Sequence, residues 1–305
     1  MYKLMNSWGC GMKIINIIVW LRFIIIVLPF TASAHAAEAN KIRVFVSILP
    51  QAYFVERIGG DKVGVEVMVG PGQSPETYEP TSRQMALLTK SDVYFQIGMP
   101  FEKRLIEKLA GVMEKLNMVP CQKGVKHRFF NSTEAHAGHE ETGADPHIWL
   151  DPMIVKVISG NICDELIRLD SAHKADYENN LRLFLNDLDS TNERISRLLA
   201  PFQGRVFYVF HPVMGYFADR YGLRQIAVEI EGKEPSAKQL ADLIDEAKAD
   251  GIKVIFVQPQ FSTKSARTVA SAIGGVVTQI DPLSRDYIMN LEEVAGKLAE
   301  GLKTK

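Results

Sequence analysis

Residues 174–199, KADYENNLRLFLNDLDSTNERISRLL, form a long helical pattern that contains neither glycine nor proline. Apolar side chains recur there mostly at spacings of three, four and seven, with charged residues between them: Tyr177, Leu181, Phe184, Leu188, Ile195, Leu198 and Leu199. This spacing places an apolar stripe along one side of a helix. We therefore predict one rigid amphipathic helix that joins the two halves of the chain.

Strand-like and helix-like segments alternate on both sides of this helix. Before it, runs rich in Val, Ile and Phe predict strands at 42–48, 63–69 and 92–97, and helices are predicted at 51–58, 82–88, 102–116 and from Met153 onward. After it, strands are predicted at 205–210, 225–229, 253–257 and 276–280, and helices at 213–221, 237–249, 264–273 and 291–302. Only 63–69 alternates strictly, so we expect the other two early strands to be covered on both faces. This alternation predicts an α/β fold of two lobes, with parallel-rich sheets flanked by helices, joined by one long rigid linking helix.

The first 36 residues have the features of an export signal. Two basic residues, Lys13 and Arg22, precede an apolar run at 23–30, and Ala34-His35-Ala36 is a small-x-small cleavage site. The alternative, a membrane anchor at 14–30, is interrupted by polar and charged residues and by a proline. We therefore predict export to the periplasm with cleavage near Ala36. Cys10 precedes the apolar run, so no cysteine is in place for lipidation.

The predicted boundaries are a signal peptide at 1–36, an N-terminal lobe at 37–172, a linking helix at 173–202 and a C-terminal lobe at 203–305. A 305-residue chain exceeds what one core usually carries, in agreement with two lobes. The 35 basic and 36 acidic side chains leave a net charge of −1, which gives no indication of nucleic-acid binding. After cleavage, Cys121 and Cys163 remain. They either form a disulfide in an oxidising compartment or stay separate as buried thiols.

A stretch in the middle of the chain, Asp145-Pro146-His147-Ile148-Trp149-Leu150-Asp151-Pro152, contains a histidine between two Asp-Pro pairs. Proline fixes its own φ and restricts the preceding residue, so these pairs predict a stiff turn. A histidine in a stiff turn loses little entropy on binding, which suits a metal ligand. The ordinary alternative is a loop histidine hydrogen-bonded to backbone.

Other potential ligands lie where predicted strands end, which is where open α/β sheets bind ligands. Glu76 lies in the loop after 63–69, His211 directly follows 205–210, and Asp281 directly follows 276–280. Each has an ordinary explanation alone, because Asp-Pro is common in turns and Glu76 fits a solvated loop. Together with His147 they make a nitrogen and oxygen set of the kind that binds divalent transition metals.

Several phrases, in order, resemble the zinc- and manganese-binding solute-binding proteins of ABC importers, the ZnuA/TroA-like family. The segment SPETYEP at 74–80 stands where that family has D-P-H-x-[YF]-E-P, and 145–152 matches its D-P-H-x-W-x-D-P. Four further matching phrases follow: Phe210-His211-Pro212 with Gly215-Tyr216-Phe217, Glu234-Pro235-Ser236-Ala237, Phe256-Val257-Gln258-Pro259-Gln260-Phe261, and Asp281-Pro282-Leu283. The resemblance covers nearly the whole chain after the signal.

The resemblance implies one divalent metal, carried as cargo in a cleft between two metal-binding lobes. The implied ligands are Glu76, His147, His211 and Asp281. Glu76 departs from the family, which has histidine there, and this leaves zinc, manganese and iron(II) open, with zinc preferred. The loop histidines His127, His136 and His139 either collect metal weakly or are solvated. The expected partners are the permease and ATPase of an ABC importer, with the binding protein a monomer.

Two other classes of function remain as alternatives. One is a metal-dependent hydrolase in which Glu79 or Glu76 acts as a base. Four protein ligands leave no position for the water that a catalytic zinc activates, and the sequence contains no HExxH, GxSxG or GxGxxG motif. We therefore predict that the protein is not an enzyme. The other alternative, an adhesin or extracellular metal buffer, would share the site and differ in its partner.

Overall fold

The computed structural model describes residues 41–109, 116–130, 144–229 and 234–303. The predicted signal peptide and its cleavage site lie outside these residues, as do His136 and His139. Within the part of the chain that the structure describes, no helix has the length and apolarity needed to cross a membrane.

The N-terminal half folds into a four-stranded parallel sheet with strand order β2-β1-β3-β4. Its strands are β1 (Ile42–Val46), β2 (Val63–Val67), β3 (Val93–Gln96) and β4 (Met118–Pro120), and its connecting helices are α1 (Leu49–Gly59), α2 (Ser82–Leu88) and α3 (Pro100–Leu109). All of β3 and four of the five residues of β1 are buried, whereas the edge strand β2 is only partly buried. This confirms the expectation that the first and third strands are covered on both faces.

Two helices follow the sheet, α4 (Pro152–Leu169) and α5 (Lys174–Leu199). The bounds of α5 are those predicted from its apolar spacing. Ion pairs connect α5 to helices of both halves: Arg57 to Asp187 at 2.5 Å, Lys156 to Asp189 at 2.6 Å, and Arg194 to Glu292 at 2.5 Å. The helix is therefore fixed along its length by neighbours on both sides.

The C-terminal half repeats the same topology, with strand order β6-β5-β7-β8 and all pairs parallel. Its strands are β5 (Val206–Val209), β6 (Arg224–Ala227), β7 (Val254–Val257) and β8 (Val276–Gln279), and its helices are α6 (Gly215–Tyr221), α7 (Ala237–Ala249), α8 (Lys264–Ala272) and α9 (Tyr287–Lys303). Helix α6 ends at Gly222, whose φ of 68° lies in the left-handed region that glycine adopts without steric cost. The two-lobe α/β class is thus confirmed.

One hydrophobic core runs from the first sheet past α4 and α5 to one face of the second sheet. Along β5, Phe207 and Val209 face this shared core, whereas Val206 and Tyr208 face a second cluster. This follows from the period of two along a strand. Because the main core is continuous, the two sheets and the linking helix pack as one unit.

Some sequence predictions differ from the structure in detail, and the structure decides between the two cysteine alternatives. Strand β4 was not predicted, because its three residues end in a proline and show no alternating pattern. Helix α9 begins at Tyr287, four residues before the predicted start at 291. Among the described residues, Cys121 and Cys163 are both buried free thiols, so the disulfide alternative is wrong and the alternative of separate buried thiols is confirmed.

Candidate metal centre

Three of the four predicted ligands converge in the structure. One ligand atom from each of Glu76, His147 and His211 lies within 4.8 Å of the others. The two imidazole Nε2 atoms are 3.4 Å apart, and Glu76 Oε1 lies 3.4 Å from Nε2 of His147 and 3.8 Å from Nε2 of His211. Glu76 and His211 come from the segments that follow β2 and β5, where the strand-end argument placed them, and His147 comes from the turn before α4.

The stiff turn predicted around His147 is present. Residues Ile148–Leu150 form one turn of 3₁₀ helix, and the Asp151 side chain caps α4 by accepting a hydrogen bond from the Met153 N–H at 2.8 Å. Asp145 Oδ1 lies 2.7 Å from Nδ1 of His147 and accepts from the His147 backbone N–H at 2.9 Å. A carboxylate on Nδ1 makes the other ring nitrogen, Nε2, the one available to an ion.

The same arrangement recurs at His211. Glu229 Oε1 lies 2.5 Å from Nδ1 of His211, so Nε2 again faces the centre. The Phe261 ring stacks on this imidazole, with centroids 4.8 Å apart and planes inclined at 24°. Each histidine therefore has its own buried carboxylate behind it, Asp145 at 0% exposure and Glu229 at 4%.

Glu76 presents its carboxylate from the loop between β2 and α2. Its Oε1 is buried and has no hydrogen-bond partner within the described ranges. A buried carboxylate oxygen without a donor is costly, because it has lost water without gaining a replacement. An ion placed between the three side chains would satisfy this oxygen.

Asp281 is near the centre but does not belong to the group of three. Its Oδ1 accepts from the Leu283 backbone N–H at 3.0 Å and from Nε2 of Gln260 at 3.3 Å. Its backbone carbonyl accepts from Asn290 at 2.7 Å. The carboxylate is thus already bound to protein donors, and its role as a fourth ligand stays a prediction.

The centre lies in a small cavity with a largely apolar wall. Six apolar side chains line it: Pro75, Trp149, Val213, Phe261, Pro282 and Leu283. Burial alone lowers the pKa of His147, but the carboxylates of Asp145 and Glu76 outweigh burial and raise that pKa to about 9. Burial raises the pKa of Asp145, yet His147 and Arg128 reverse this and hold it below its usual range. The site therefore favours positive charge.

Contacts between the two halves hold the His147 turn in place. The Trp149 indole N–H donates to the Pro282 carbonyl at 2.9 Å, and the Tyr287 hydroxyl donates to the Trp149 carbonyl at 2.8 Å. Arg220 pairs with Asp151 at 2.7 Å. The turn is thus anchored to residues of the C-terminal half.

Arg128 makes a further connection, because it pairs with Asp145 at 2.7 Å and with Asp219 at 2.9 Å. Gly215 permits this pairing, since a Cβ atom there would lie 1.8 Å from an Arg128 nitrogen. The carboxylate behind His147 is therefore held by an arginine that also contacts α6.

Sequence reasoning missed Arg128, Asp145, Glu229 and Gln258. Asp145 lies inside the motif that was singled out, Gln258 directly follows β7, and Glu229 is the last residue of the predicted strand 225–229. The strand-end rule that found His211 would have identified Gln258. Nothing in the local sequence around Arg128 indicates its partners.

Comparison with known proteins agrees with this fold and site. A family model described as zinc-uptake complex component A, periplasmic, matches residues 44–301. The chain is 26% identical over 270 residues to the high-affinity zinc uptake system protein ZnuA of Bacillus subtilis, covering 84% of each chain. It is 25% identical over 270 residues to the zinc-binding protein AdcA of Streptococcus pyogenes, of which it spans about half, 52%. A crystal structure of ZnuA is 40% identical, with a TM-score of 0.81, and covers 86% of this chain and 100% of that one.

Two parallel sheets on a long helix, with histidines and a carboxylate meeting between them, define a metal solute-binding protein of the ABC-importer type. The chain belongs to the family of the zinc-uptake complex component A, which confirms the resemblance seen in its motifs. That family is a component of an uptake complex and not an enzyme, so the expectation of no enzymatic activity holds.

Proposed function

We propose that this protein binds one zinc ion as cargo through Glu76, His147 and His211 and delivers it to the permease and ATPase of an ABC importer. The observation that carries the proposal is the convergence of the three donor atoms at 3.4, 3.4 and 3.8 Å. Behind each histidine, a buried carboxylate leaves Nε2 directed at the same point.

The spacing of the donors favours zinc. A tetrahedral ion with bonds of about 2.0–2.1 Å separates its donor atoms by about 3.3 Å, whereas an octahedral ion with the same bonds separates adjacent donors by about 2.9 Å. The three observed separations are at or above the tetrahedral value. The donors therefore form the face of a tetrahedron, with the fourth corner open to Asp281 or to water.

The charges agree with a divalent ion. The Glu76 carboxylate contributes negative charge at the centre, and Asp145 and Glu229 add two buried carboxylates behind the imidazoles. Manganese or iron(II) is the alternative cargo. Asp281, which accepts from Gln260 of the cavity wall at 3.3 Å, would add oxygen donors if it shifted into the site. Such a shift would raise the coordination number, which suits those metals better than zinc.

Calorimetry on metal-stripped protein tests the site. We expect His147→Ala and His211→Ala each to weaken zinc binding by at least about tenfold, because each removes one donor from a small set. His173→Ala is the matched control, since His173 pairs with Asp170 at 2.6 Å on the surface and is not part of the cluster. Unchanged affinity in both site variants would contradict the assignment.

Export and delivery complete the proposal. The signal at 1–36 would be removed near Ala36 and release a monomeric binding protein into the periplasm, with no lipid anchor at Cys10. Delivery is tested by zinc uptake into vesicles that contain the permease and the ATPase. Uptake should require this protein with its histidines intact.

A further inference from the structure

The phrase Phe256-Val257-Gln258-Pro259-Gln260-Phe261 matches the family but has no role in the donor set. Its first two residues end β7, and the next four form a turn beside the metal centre, which we call the β7 turn (258–261). Two residues of this turn contact His211. Gln258 hydrogen-bonds to its backbone, and Phe261 stacks on its ring.

Gln258 binds both backbone groups of His211. Its Oε1 accepts from the His211 N–H at 3.2 Å, and its Nε2 donates to the His211 carbonyl at 2.8 Å. The Gln258 side chain is buried, at 1% exposure. One amide therefore satisfies the His211 N–H and adds a second donor to the His211 carbonyl, which also accepts from the Val213 N–H at 2.7 Å.

The sheet register explains why a glutamine is suited to this position. The last paired residues of β5 and β7 are Val209 and Phe256, and His211 and Gln258 each lie two residues further along. A side-chain amide carries the same donor and acceptor as a peptide group. Gln258 thus extends the contact between the two strands beyond the end of the backbone ladder, to the residue that presents an imidazole to the metal.

We propose that Gln258 is a positioning residue for metal binding, which fixes the His211 backbone so that Nε2 points at the centre. This inference rests on the proposed function, because it assigns Gln258 an effect that passes through His211 as a ligand. Glu229 sets which ring nitrogen faces the metal, Phe261 sets the plane of the ring, and Gln258 sets the position of the backbone that carries it.

The test is a double-mutant cycle on zinc affinity, measured by competition with a chelator on metal-stripped full-length protein. Gln258→Met keeps the length and removes both hydrogen bonds, so we expect about tenfold weaker zinc binding, at the lower end of the effect of outer-shell changes. Introduced into His211→Ala, the same change should have no further effect, because the residue through which it acts is gone. A purely structural role would weaken binding equally in both backgrounds.

Gln51→Met is the matched control. Gln51 is also fully buried and lies in the other half. Its amide accepts from the Ser47 N–H at 2.9 Å, just after β1, and donates to the Phe95 carbonyl of β3 at 3.2 Å. It touches neither histidine in any described contact. We expect Gln51→Met to change zinc affinity less than twofold, whatever it does to the melting temperature.

Gln258→Glu is a second variant in case the methionine variant does not fold. It keeps the acceptor for the His211 N–H and loses the donor to the carbonyl, so a loss of about threefold is expected. Suppose that His211→Ala binds zinc weakly, as expected. The inference is then overturned if the folded Gln258 variants keep the wild-type zinc affinity, or if the Gln258 change weakens binding equally in the wild-type and His211→Ala backgrounds. If His211→Ala binds like the wild type, the inference fails together with the assignment of His211 as a ligand.

Discussion

Replacing Glu76 by alanine should remove a large part of the thermal stabilisation that zinc provides. Glu76 supplies the one carboxylate of the three clustered donors, and its buried Oε1 has no other partner in the described structure. Outer-shell changes at metal sites typically cost about 10–100-fold in affinity, so losing an inner donor is expected to reach the upper end, about a hundredfold.

The corresponding change in stability follows from linkage. At free zinc a thousandfold above the wild-type Kd, binding stabilises the fold by about 4 kcal/mol, and at the same zinc concentration a hundredfold weaker variant gains about 1.4 kcal/mol. For a chain of this length, about 2 °C of melting temperature corresponds to each kcal/mol. Zinc should therefore raise the Tm of the wild type by about 8 °C and that of Glu76→Ala by about 3 °C.

The assay is thermal unfolding of metal-stripped protein at pH about 7.5, with and without zinc at one fixed free concentration. Glu79→Ala is the control, since Glu79 is an exposed carboxylate three residues further along the same loop and lies outside the cluster. The control should keep the full zinc shift. A full wild-type shift in Glu76→Ala would remove Glu76 from the site, and a reduced shift in Glu79→Ala would give that role to its neighbour.

Three further predictions concern metal preference, the fourth ligand and pH. Glu76→His should raise the zinc-to-manganese affinity ratio, mainly by weakening manganese, because it replaces an oxygen donor by nitrogen; competition titrations giving an unchanged ratio would contradict this. Asp281→Ala should weaken manganese binding more than zinc binding, because the Asp281 carboxylate would leave Gln260 and Leu283 to bind the ion. If the variant binds both metals as tightly as the wild type, Asp281 is not a ligand. The zinc-induced Tm shift should be smaller at pH about 5 than at about 7.5, because zinc must displace the proton that Asp145 and Glu76 favour on His147, whose pKa they raise to about 9. The stability of the metal-free protein should depend on pH in the opposite direction. Protonated His147 contributes stability that is complete below its ordinary pKa of about 6.5 and is lost as the pH rises through about 9. An equal zinc shift at both pH values would count against histidine ligation.

Most of the fold could be predicted from local patterns. The bounds of α2, α5 and α7 coincide with their predicted ranges, because α2 and α7 have capping residues and α5 has a continuous apolar stripe. Thr81 and Ser236 cap the starts of α2 and α7. The side chain of each accepts from the backbone N–H three residues on, and its own backbone N–H donates to the side-chain oxygen of the glutamine there. Strand β4 has no such signal, since three residues are too few for a period and its pairing with β3 is decided by tertiary contact.

The sequence predicted the side chains that converge at the site, but not the residues that hold them in place. Proline next to His147 and strand-end placement of His211 and Glu76 predicted three side chains that converge in the structure. Asp281 instead accepts from the Gln260 side chain, whose position a sequence pattern does not predict. Arg128 pairs with residues 17 and 91 positions away, so its role depends on packing between the halves.

Anomalous diffraction at the zinc absorption edge, on crystals of the zinc-loaded protein, tests the central claim most directly. We predict one strong peak per chain, within about 2.0–2.2 Å of Glu76 Oε1 and of the Nε2 atoms of His147 and His211. The same map would show whether Asp281 or water is the fourth donor. A peak bound by other residues, or no peak between these three side chains at saturating zinc, would contradict the account.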